Sequence, residues 1–183
     1  YMEVENNPED KTFGSRKIAF SKELYIERED FSENPPKKFF RLAVGNEVRL
    51  RNGYYVVCND FKKDNLGNIT EVRCSYDPET KGGWSNDGRK VRGTIHWVSC
   101  KHSMNAEVRI YDKLFNKENP LKTTLTDDND FTSNMSTSSI NTFEDAKVES
   151  FLINAEINQK FQFLRKGYFV LDSDSTSKKL IFN

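Results

Sequence analysis

The sequence predicts an all-β protein. Apolar and polar residues alternate in short segments rich in Val, Ile, Tyr, Phe and Thr, and turn-forming residues separate these segments. No long stretch has the apolar spacing of an amphipathic helix. The predicted strands, typical of barrels and sandwiches, are Lys17–Phe20, Glu23–Ile26, Phe39–Val44, Glu47–Cys58, Thr70–Tyr76, Lys90–Ser99, Ala106–Tyr111, Val148–Ile153, Lys160–Arg165, Tyr168–Leu171 and Lys179–Phe182.

Turn signals explain how these strands are connected. Asp64–Asn68 predicts a hairpin connection in which Gly67 or Asn68 takes a positive φ. Lys81–Gly88 predicts a longer loop, where a buried anchor is favoured for Trp84 over a base-stacking platform. A single helical turn is predicted at Tyr111–Phe115. From Thr123 to Thr142, 16 of 20 residues are Ser, Thr, Asn or Asp, which predicts a mobile polar insertion at about 120–142.

Composition limits the class of protein. The 183 residues are 36% hydrophobic and 31% charged, as in a globular protein with one sizeable domain or two small ones. No run approaches 18 apolar residues and the first residues lack a signal-peptide pattern, so we expect an internal fragment of a cytoplasmic protein that does not contact a membrane. The spacing of Cys58, Cys74 and Cys100 predicts small buried thiols, without a disulfide framework or a metal site.

The net charge of zero conceals a separation along the chain. Residues 31–102 carry 13 Lys and Arg against 8 Asp and Glu, a net charge of +5, whereas residues 1–30 and 103–183 carry −3 and −2. Exposed charges more than ~8 Å apart are largely screened at physiological salt, so a local basic surface can attract phosphates on a neutral chain. The alternative is a solvated sheet face with no partner.

Two arginines in this basic middle are spaced for one sheet face. Arg49 and Arg51 alternate with Val48 and Leu50, so an extended backbone places both guanidinium groups on one side and the apolar residues toward a core. Sequence-specific RNA recognition usually targets unstacked loop bases, for which Arg supplies hydrogen bonds, stacking and charge. The pattern therefore predicts a β-sheet surface that binds RNA.

A family resemblance extends along most of the chain, from about residue 6 to residue 183, with an interruption near residues 120–145. Its blocks are Asn7–Pro8 with Gly14–Arg16, Tyr25–Phe31, Arg41–Asn52, Gly88–Ser99, Val108–Phe115, Phe161–Phe163, Gly167–Phe169 and Leu171–Ser173. In content and order these blocks resemble the C-terminal anticodon-binding region of glutaminyl-tRNA synthetase, a class I aminoacyl-tRNA synthetase.

The resemblance implies a topology of two antiparallel β-barrels of the kind found in ribosomal proteins. A distal barrel is inserted into the chain of a proximal barrel. The implied divisions are residues 1–34 for the first part of the proximal barrel, 35–102 for the distal barrel and 103–183 for the rest of the proximal barrel. The polar insertion lies in this last part.

The resemblance also implies which residues contact an anticodon. Arg41 matches a residue of the third-base pocket, Arg49 and Arg51 match the first-base pocket, and Gln162 and Arg165 match residues around the middle base. On a flat strand Gln162 and Arg165 point oppositely, so a bend or the reach of the Arg165 side chain is needed to bring them together. The alternatives are an Arg41–Glu47 ion pair, a surface cation at Arg165 and a rim polar group at Gln162. Contacts with the phosphate backbone of the RNA are expected from Lys38, Lys62, Lys63, Arg89, Lys90 and Arg92.

No residue set in the chain predicts catalysis, because a phosphate-binding glycine loop, a catalytic triad and an acidic metal cluster are all missing from the sequence. The resemblance assigns ATP and Mg to a catalytic domain of the same polypeptide, and the anticodon stem-loop of tRNA(Gln) as partner. No catalytic residue, cofactor or metal is expected in this fragment. The alternatives are the eukaryotic and archaeal type of glutamyl-tRNA synthetase and a free-standing 5S rRNA-binding barrel protein.

Overall fold

The computed structural model describes residues 1–120 and 131–183. The chain forms two compact units, Tyr1–Ser103 with Glu149–Phe151, and Met104–Val148 with Leu152–Asn183. In the described residues, helical structure is limited to short 3₁₀ turns at Lys11–Phe13, Arg28–Asp30, Pro78–Thr80, Phe131–Asn134 and Ser150–Asn154. None of the described helices has the length and apolar character needed to cross a membrane. The predicted all-β class is confirmed.

The first unit contains three sheets. Its strands are β1 (Met2–Glu5), β2 (Ser15–Ile18), β3 (Leu24–Ile26), β4 (Glu47–Leu50), β5 (Tyr55–Lys63), β6 (Ile69–Asp77), β7 (Thr94–Ile95) and β8 (Trp97–Ser99). The largest sheet has the order β6-β5-β4-β7, with β7 parallel to β4, while β1 pairs with β2 and β3 pairs with β8. The core consists of Met2, Phe31, Leu42, Val48, Leu50, Val56, Cys58, Ile95 and Trp97.

The second unit contains a three-stranded sheet and a hairpin. Its strands are β9 (Met104–Tyr111), β10 (Ile140–Val148), β11 (Lys160–Phe163), β12 (Gly167–Val170) and β13 (Leu180–Phe182). The sheet order is β10-β9-β13, with β13 parallel to β9, and β11 pairs with β12. Its core contains Ala106, Val108, Val148, Leu152, Phe169, Leu171, Leu180 and Phe182. The closure of these sheets into two barrels and the three-part division stay predictions.

Several predicted elements differ from the structure. The segment Phe39–Val44 forms no strand and contributes only a bridge from Leu42 to Phe31. The single strand predicted at Glu47–Cys58 is two strands, β4 and β5, joined by a tight turn. The strand predicted at Val148–Ile153 is mostly a 3₁₀ turn, and Tyr111–Phe115 contains no helical turn. In each case the apolar residues alone did not determine the backbone conformation.

The polar insertion also differs in its second half. Residues 121–130 lie outside the described residues, so the predicted mobility there is not addressed. Strand β10, which was not predicted, begins at Ile140 and pairs with β9 from Ile140↔Tyr111 to Val148↔Met104. Strand β1, at the other end of the chain, was also not predicted. A neighbouring strand supplies backbone hydrogen bonds to polar residues as readily as to apolar ones, which side-chain composition does not reveal.

Two smaller predictions have opposite outcomes. Gly67 has φ +84° in the hairpin between β5 and β6, as its turn signal predicted. The prediction of buried thiols is correct for Cys58, whereas Cys74 is exposed and Cys100 is half-buried. Cys74 lies opposite Cys58 on β6, the edge strand of the four-stranded sheet.

Candidate nucleic-acid interface

Arg49 lies on the outer face of β4. Val48 and Leu50 on either side of it are buried in the first unit's core, so the strand alternation turns Arg49 away from that core. Its Nε and Nη2 donate to Thr94 Oγ1 at 3.1 and 2.9 Å, and Nη1 donates to the Gly83 carbonyl at 3.4 Å. Among the described residues, no carboxylate forms an ion pair with Arg49. Its position is fixed while its charge stays uncompensated.

Arg51 begins the turn that follows β4. Its backbone is anchored, because its N–H donates to the Ile95 carbonyl at 3.0 Å and its carbonyl accepts from Trp97 Nε1 at 3.0 Å. Over the described ranges, its guanidinium has no hydrogen bond or ion pair. Asn52 takes a positive φ of 55°, and a Cβ at Gly53 would lie 3.0 Å from Leu50 Cβ, so the turn depends on a residue without a side chain there.

Arg41 is bound to a buried carboxylate. Its Nε lies 3.4 Å from Oδ1 of the fully buried Asp30, and its Nη1 donates to the Glu29 carbonyl at 3.0 Å. A buried carboxylate is costly unless a cation pairs with it, so Arg41 stabilises the fold as well as presenting a half-exposed guanidinium. The alternative ion pair with Glu47 is wrong, since Asp30 takes that place.

Arg89 is surrounded by three carboxylates. It forms ion pairs with Glu47 at 3.1 Å, with Asp77 at 2.5 Å and with Asp87 at 2.5 Å, and its guanidinium lies 5.1 Å from the Tyr55 ring centroid. Backbone and side-chain hydrogen bonds from Arg89 lower the pKa of Asp87 to about 2. Arg89 therefore has little charge to offer a phosphate, and it fixes the loop that precedes Lys90.

The other basic residues fall into two groups. Lys62 pairs with Glu71 at 3.0 Å and Lys63 pairs with Glu33 at 2.6 Å, so their charges are partly compensated. The remaining three are exposed and have no carboxylate partner within the described residues; they are Lys38, Lys90 and Arg92, the last with its guanidinium 5.3 Å from the Phe40 ring centroid. These three residues stay the stronger predictions for contacts with the RNA phosphate backbone.

Gln162 and Arg165 lie in the β11–β12 hairpin of the second unit. Gln162 is exposed, faces Tyr168 across the hairpin and has its Nε2 3.4 Å from the Tyr168 hydroxyl. Arg165 lies in the turn with φ +64°, so the chain bends between the two residues. Tyr168 itself is 80% exposed. The role of the two residues in reading a base stays a prediction.

The exposure of Trp84 differs from what its sequence predicted. It is 75% exposed, so the buried loop anchor is wrong, and its ring centroid lies 5.4 Å from the Arg49 guanidinium carbon. Two consecutive glycines, Gly82 and Gly83, precede it with φ of 89° and 90°. This glycine pair was the available signal, because it lets the chain turn outward immediately before the indole.

Comparison with known proteins identifies the family of this chain. Residues 1–77 and 94–172 match two models of the anti-codon binding domain of class I tRNA synthetases (E and Q). Glutamine–tRNA ligases match over 100% of this chain, with 52% identity in Rhodopirellula baltica, 46% in Bradyrhizobium diazoefficiens and 44% in Clostridium kluyveri. The chain spans 30%, 32% and 32% of the lengths of these relatives.

The matched segments contain the features described above. The first covers β1 to β6 with Arg41, Arg49 and Arg51, and the second covers β7 to β12 with Gln162 and Arg165. These three relatives are glutamine–tRNA ligases, so neither the glutamyl alternative nor the 5S rRNA-binding alternative is favoured. The chain belongs to the anticodon-binding domains of the class I tRNA synthetases (E and Q), and its relatives place it with the glutamine–tRNA ligases.

Proposed function

We propose that this chain is the anticodon-binding region of a longer, cytoplasmic ligase that uses ATP to attach glutamine to tRNA(Gln). In this proposal ATP and Mg bind to a catalytic domain of the same polypeptide, and the present residues bind the anticodon stem-loop. The observation that carries the proposal is the uncompensated charge of Arg49 and Arg51 at the end of β4, beside an exposed aromatic side chain.

The proposed division of labour follows the contacts of each residue. Arg51 has an unpartnered guanidinium among the described residues, so its donors are available to the first anticodon base. Arg49 is oriented by Thr94 and faces the same base. Arg41, held by Asp30, would close the third-base pocket. Gln162 and Arg165 would contact the middle base, where an amide can pair with a uracil edge.

The proposed barrel arrangement gives these residues separate supports. The distal barrel, residues 35–102, would carry the pockets for the first and third bases, and the hairpin of the proximal barrel would carry the middle-base pocket. Arg49 and Arg51 lie beside one core, which contains Val48 and Leu50 but also Met2 and Phe31, whereas the β11–β12 hairpin packs on the core of the second unit. The proposed arrangement assigns the first and third bases to the basic middle of the chain, where the excess of positive charge is found.

A binding comparison tests the function directly. The full-length protein should bind tRNA(Gln) more tightly than tRNA(Glu) at one fixed salt concentration, measured by filter binding or fluorescence anisotropy. Equal affinity for the two would contradict the glutaminyl assignment. Preferential binding of 5S rRNA over both would instead favour a ribosomal role.

Arg51→Ala should weaken tRNA(Gln) binding by ~1–3 kcal/mol, because it removes hydrogen bonds to a base edge. The loss should become small when the first anticodon base is replaced in the tRNA, since the contact is then already missing. Arg73→Ala is a matched control, since Arg73 is an exposed arginine of the same sheet and pairs with Glu71 at 2.7 Å. A loss for Arg51→Ala that is equal for every first base would assign Arg51 to the phosphate backbone.

A further inference from the structure

We infer that Trp84 is a stacking platform for one unstacked base of the anticodon loop and that it acts together with Arg49. The inference rests on the function proposed above and adds a residue to that site. It concerns the binding of a nucleobase by an aromatic ring, which is a different contact from the hydrogen bonds of the arginines.

The exposure of Trp84 is the first observation. An indole that serves only to hold a loop is normally packed against the sheet, whereas 75% of Trp84 is exposed. The other tryptophan, Trp97, shows the contrast, because it is buried in the core and donates its Nε1–H to the Arg51 carbonyl. An exposed indole face buries apolar surface when a base stacks on it.

The position of Arg49 is the second observation. Its guanidinium carbon lies 5.4 Å from the Trp84 ring centroid, within the range of a cation–π contact. The guanidinium is also bound by Thr94 and the Gly83 carbonyl, so it cannot move freely from the ring. A base could therefore stack on the planar indole while its phosphate approaches the positive charge of Arg49.

The loop that carries Trp84 is fixed on both sides. On one side Thr80 is buried, accepts a hydrogen bond from the Tyr55 N–H at 2.8 Å and binds the Gly83 N–H through its carbonyl at 2.9 Å. On the other side, the Ser85 hydroxyl donates to the Arg89 carbonyl at 3.3 Å. A loop that is already ordered loses less conformational entropy on binding, so the backbone that carries Trp84 is prepared for a ligand.

Gly83 adds a steric reason for the pairing. A Cβ at this position would lie 3.0 Å from Arg49 Cδ, and its φ of 90° favours glycine. The glycine thus allows the arginine side chain to pass directly against the loop backbone and reach the indole. The lack of a carboxylate at Arg49, in the part of the chain that the structure describes, makes an anionic partner the favoured occupant.

The test uses full-length protein, tRNA(Gln) and three tRNAs that each lack one anticodon base at an abasic nucleotide. Trp84→Ala should weaken binding of intact tRNA(Gln) about 5- to 150-fold, as expected for loss of one stacked base, and Trp84→Phe should retain most of the affinity. With one of the abasic tRNAs, Trp84→Ala should cause little further loss, because the base that it would stack is already absent.

The outcomes separate this inference from the proposed function. If wild-type protein prefers tRNA(Gln) but Trp84→Ala binds it equally well, or loses the same factor with all three abasic tRNAs, the stacking role is wrong and the function stands. If wild-type protein shows no preference for tRNA(Gln), both proposals are overturned.

Discussion

Gly93→Ala is expected to destabilise the first unit by about 3 kcal/mol, because a side chain at this position has no space. A Cβ built on Gly93 would lie 2.1 Å from the Phe40 carbonyl oxygen, 3.0 Å from the Phe40 carbonyl carbon and 3.1 Å from Val48 Cγ1. The nearest of these atoms belong to the backbone, so no side-chain rotation relieves the contact. The segment around Phe40 would have to move away from β4.

This movement would also disturb the proposed base pockets. The Gly93 carbonyl accepts a hydrogen bond from the Arg49 N–H at 2.8 Å, and Phe40 precedes Arg41 directly in the chain. A displaced Phe40 therefore shifts the residue that pairs with Asp30, while a displaced Gly93 shifts the backbone of Arg49. We expect the variant to lose stability and RNA affinity together.

Urea denaturation followed by tryptophan fluorescence measures the free energy of unfolding of the first unit. Trp84 and Trp97, the chain's two tryptophans, both lie in this unit. Gly88→Ala is a suitable control. Gly88 has φ +71° and no atom within 4 Å of a built Cβ, so its replacement adds only backbone strain of ~1 kcal/mol. An equal loss in both variants would contradict the steric argument.

The sequence predicted best those features that depend on local periodicity. Alternation of Val48, Arg49 and Leu50 correctly placed the arginine opposite the buried residues, because a strand has a repeat of two whatever its neighbours are. The hairpin at Gly67 was predicted for the same reason, since the turn requires a residue that tolerates positive φ.

The features that were not predicted depend on contacts between residues that are distant in the sequence. Nothing near Arg41 in the sequence indicates that its carboxylate partner is Asp30, because the two meet only where Leu42 bridges to Phe31 across an irregular segment. Whether an arginine is paired with a carboxylate of the protein or stays available to a ligand thus depends on the tertiary structure. Arg49 and Arg89 have similar basic neighbourhoods in the sequence, yet only Arg89 is surrounded by carboxylates.

Glu149→Gln is expected to destabilise the first unit by about 2–3 kcal/mol at pH 7, and this effect should disappear in acid. Glu149 accepts two hydrogen bonds from Arg16, Nε to Oε2 at 2.6 Å and Nη2 to Oε1 at 3.0 Å, and His96 Nε2 lies 3.9 Å from Oε1. Both members of the Arg16 pair are about one-fifth exposed, at 22% and 21%. The pair is therefore only weakly screened by solvent.

The pH dependence follows from the pKa of this carboxyl. Burial raises the pKa of Glu149, but the hydrogen bonds from Arg16, its positive charge and the nearby His96 ring outweigh this effect and lower the pKa from 4.5 to about 2. In the unfolded chain the ordinary value applies, so the folded state favours the ionised form by roughly 3 kcal/mol at neutral pH. This contribution is complete above about pH 5 and is lost as the pH falls toward 2.

Urea denaturation of the wild-type chain and Glu149→Gln at pH 7, 4 and 2.5, again followed by tryptophan fluorescence, measures this difference. The gap between the two free energies of unfolding should be widest at pH 7 and close as the pH falls. Glu71→Gln is the control, because Glu71 pairs with Lys62 and Arg73 through side chains that are about half exposed, and its replacement should change little. A gap for Glu149→Gln that stays constant from pH 7 to 2.5 would show that lost packing, rather than the ion pair, causes the destabilisation.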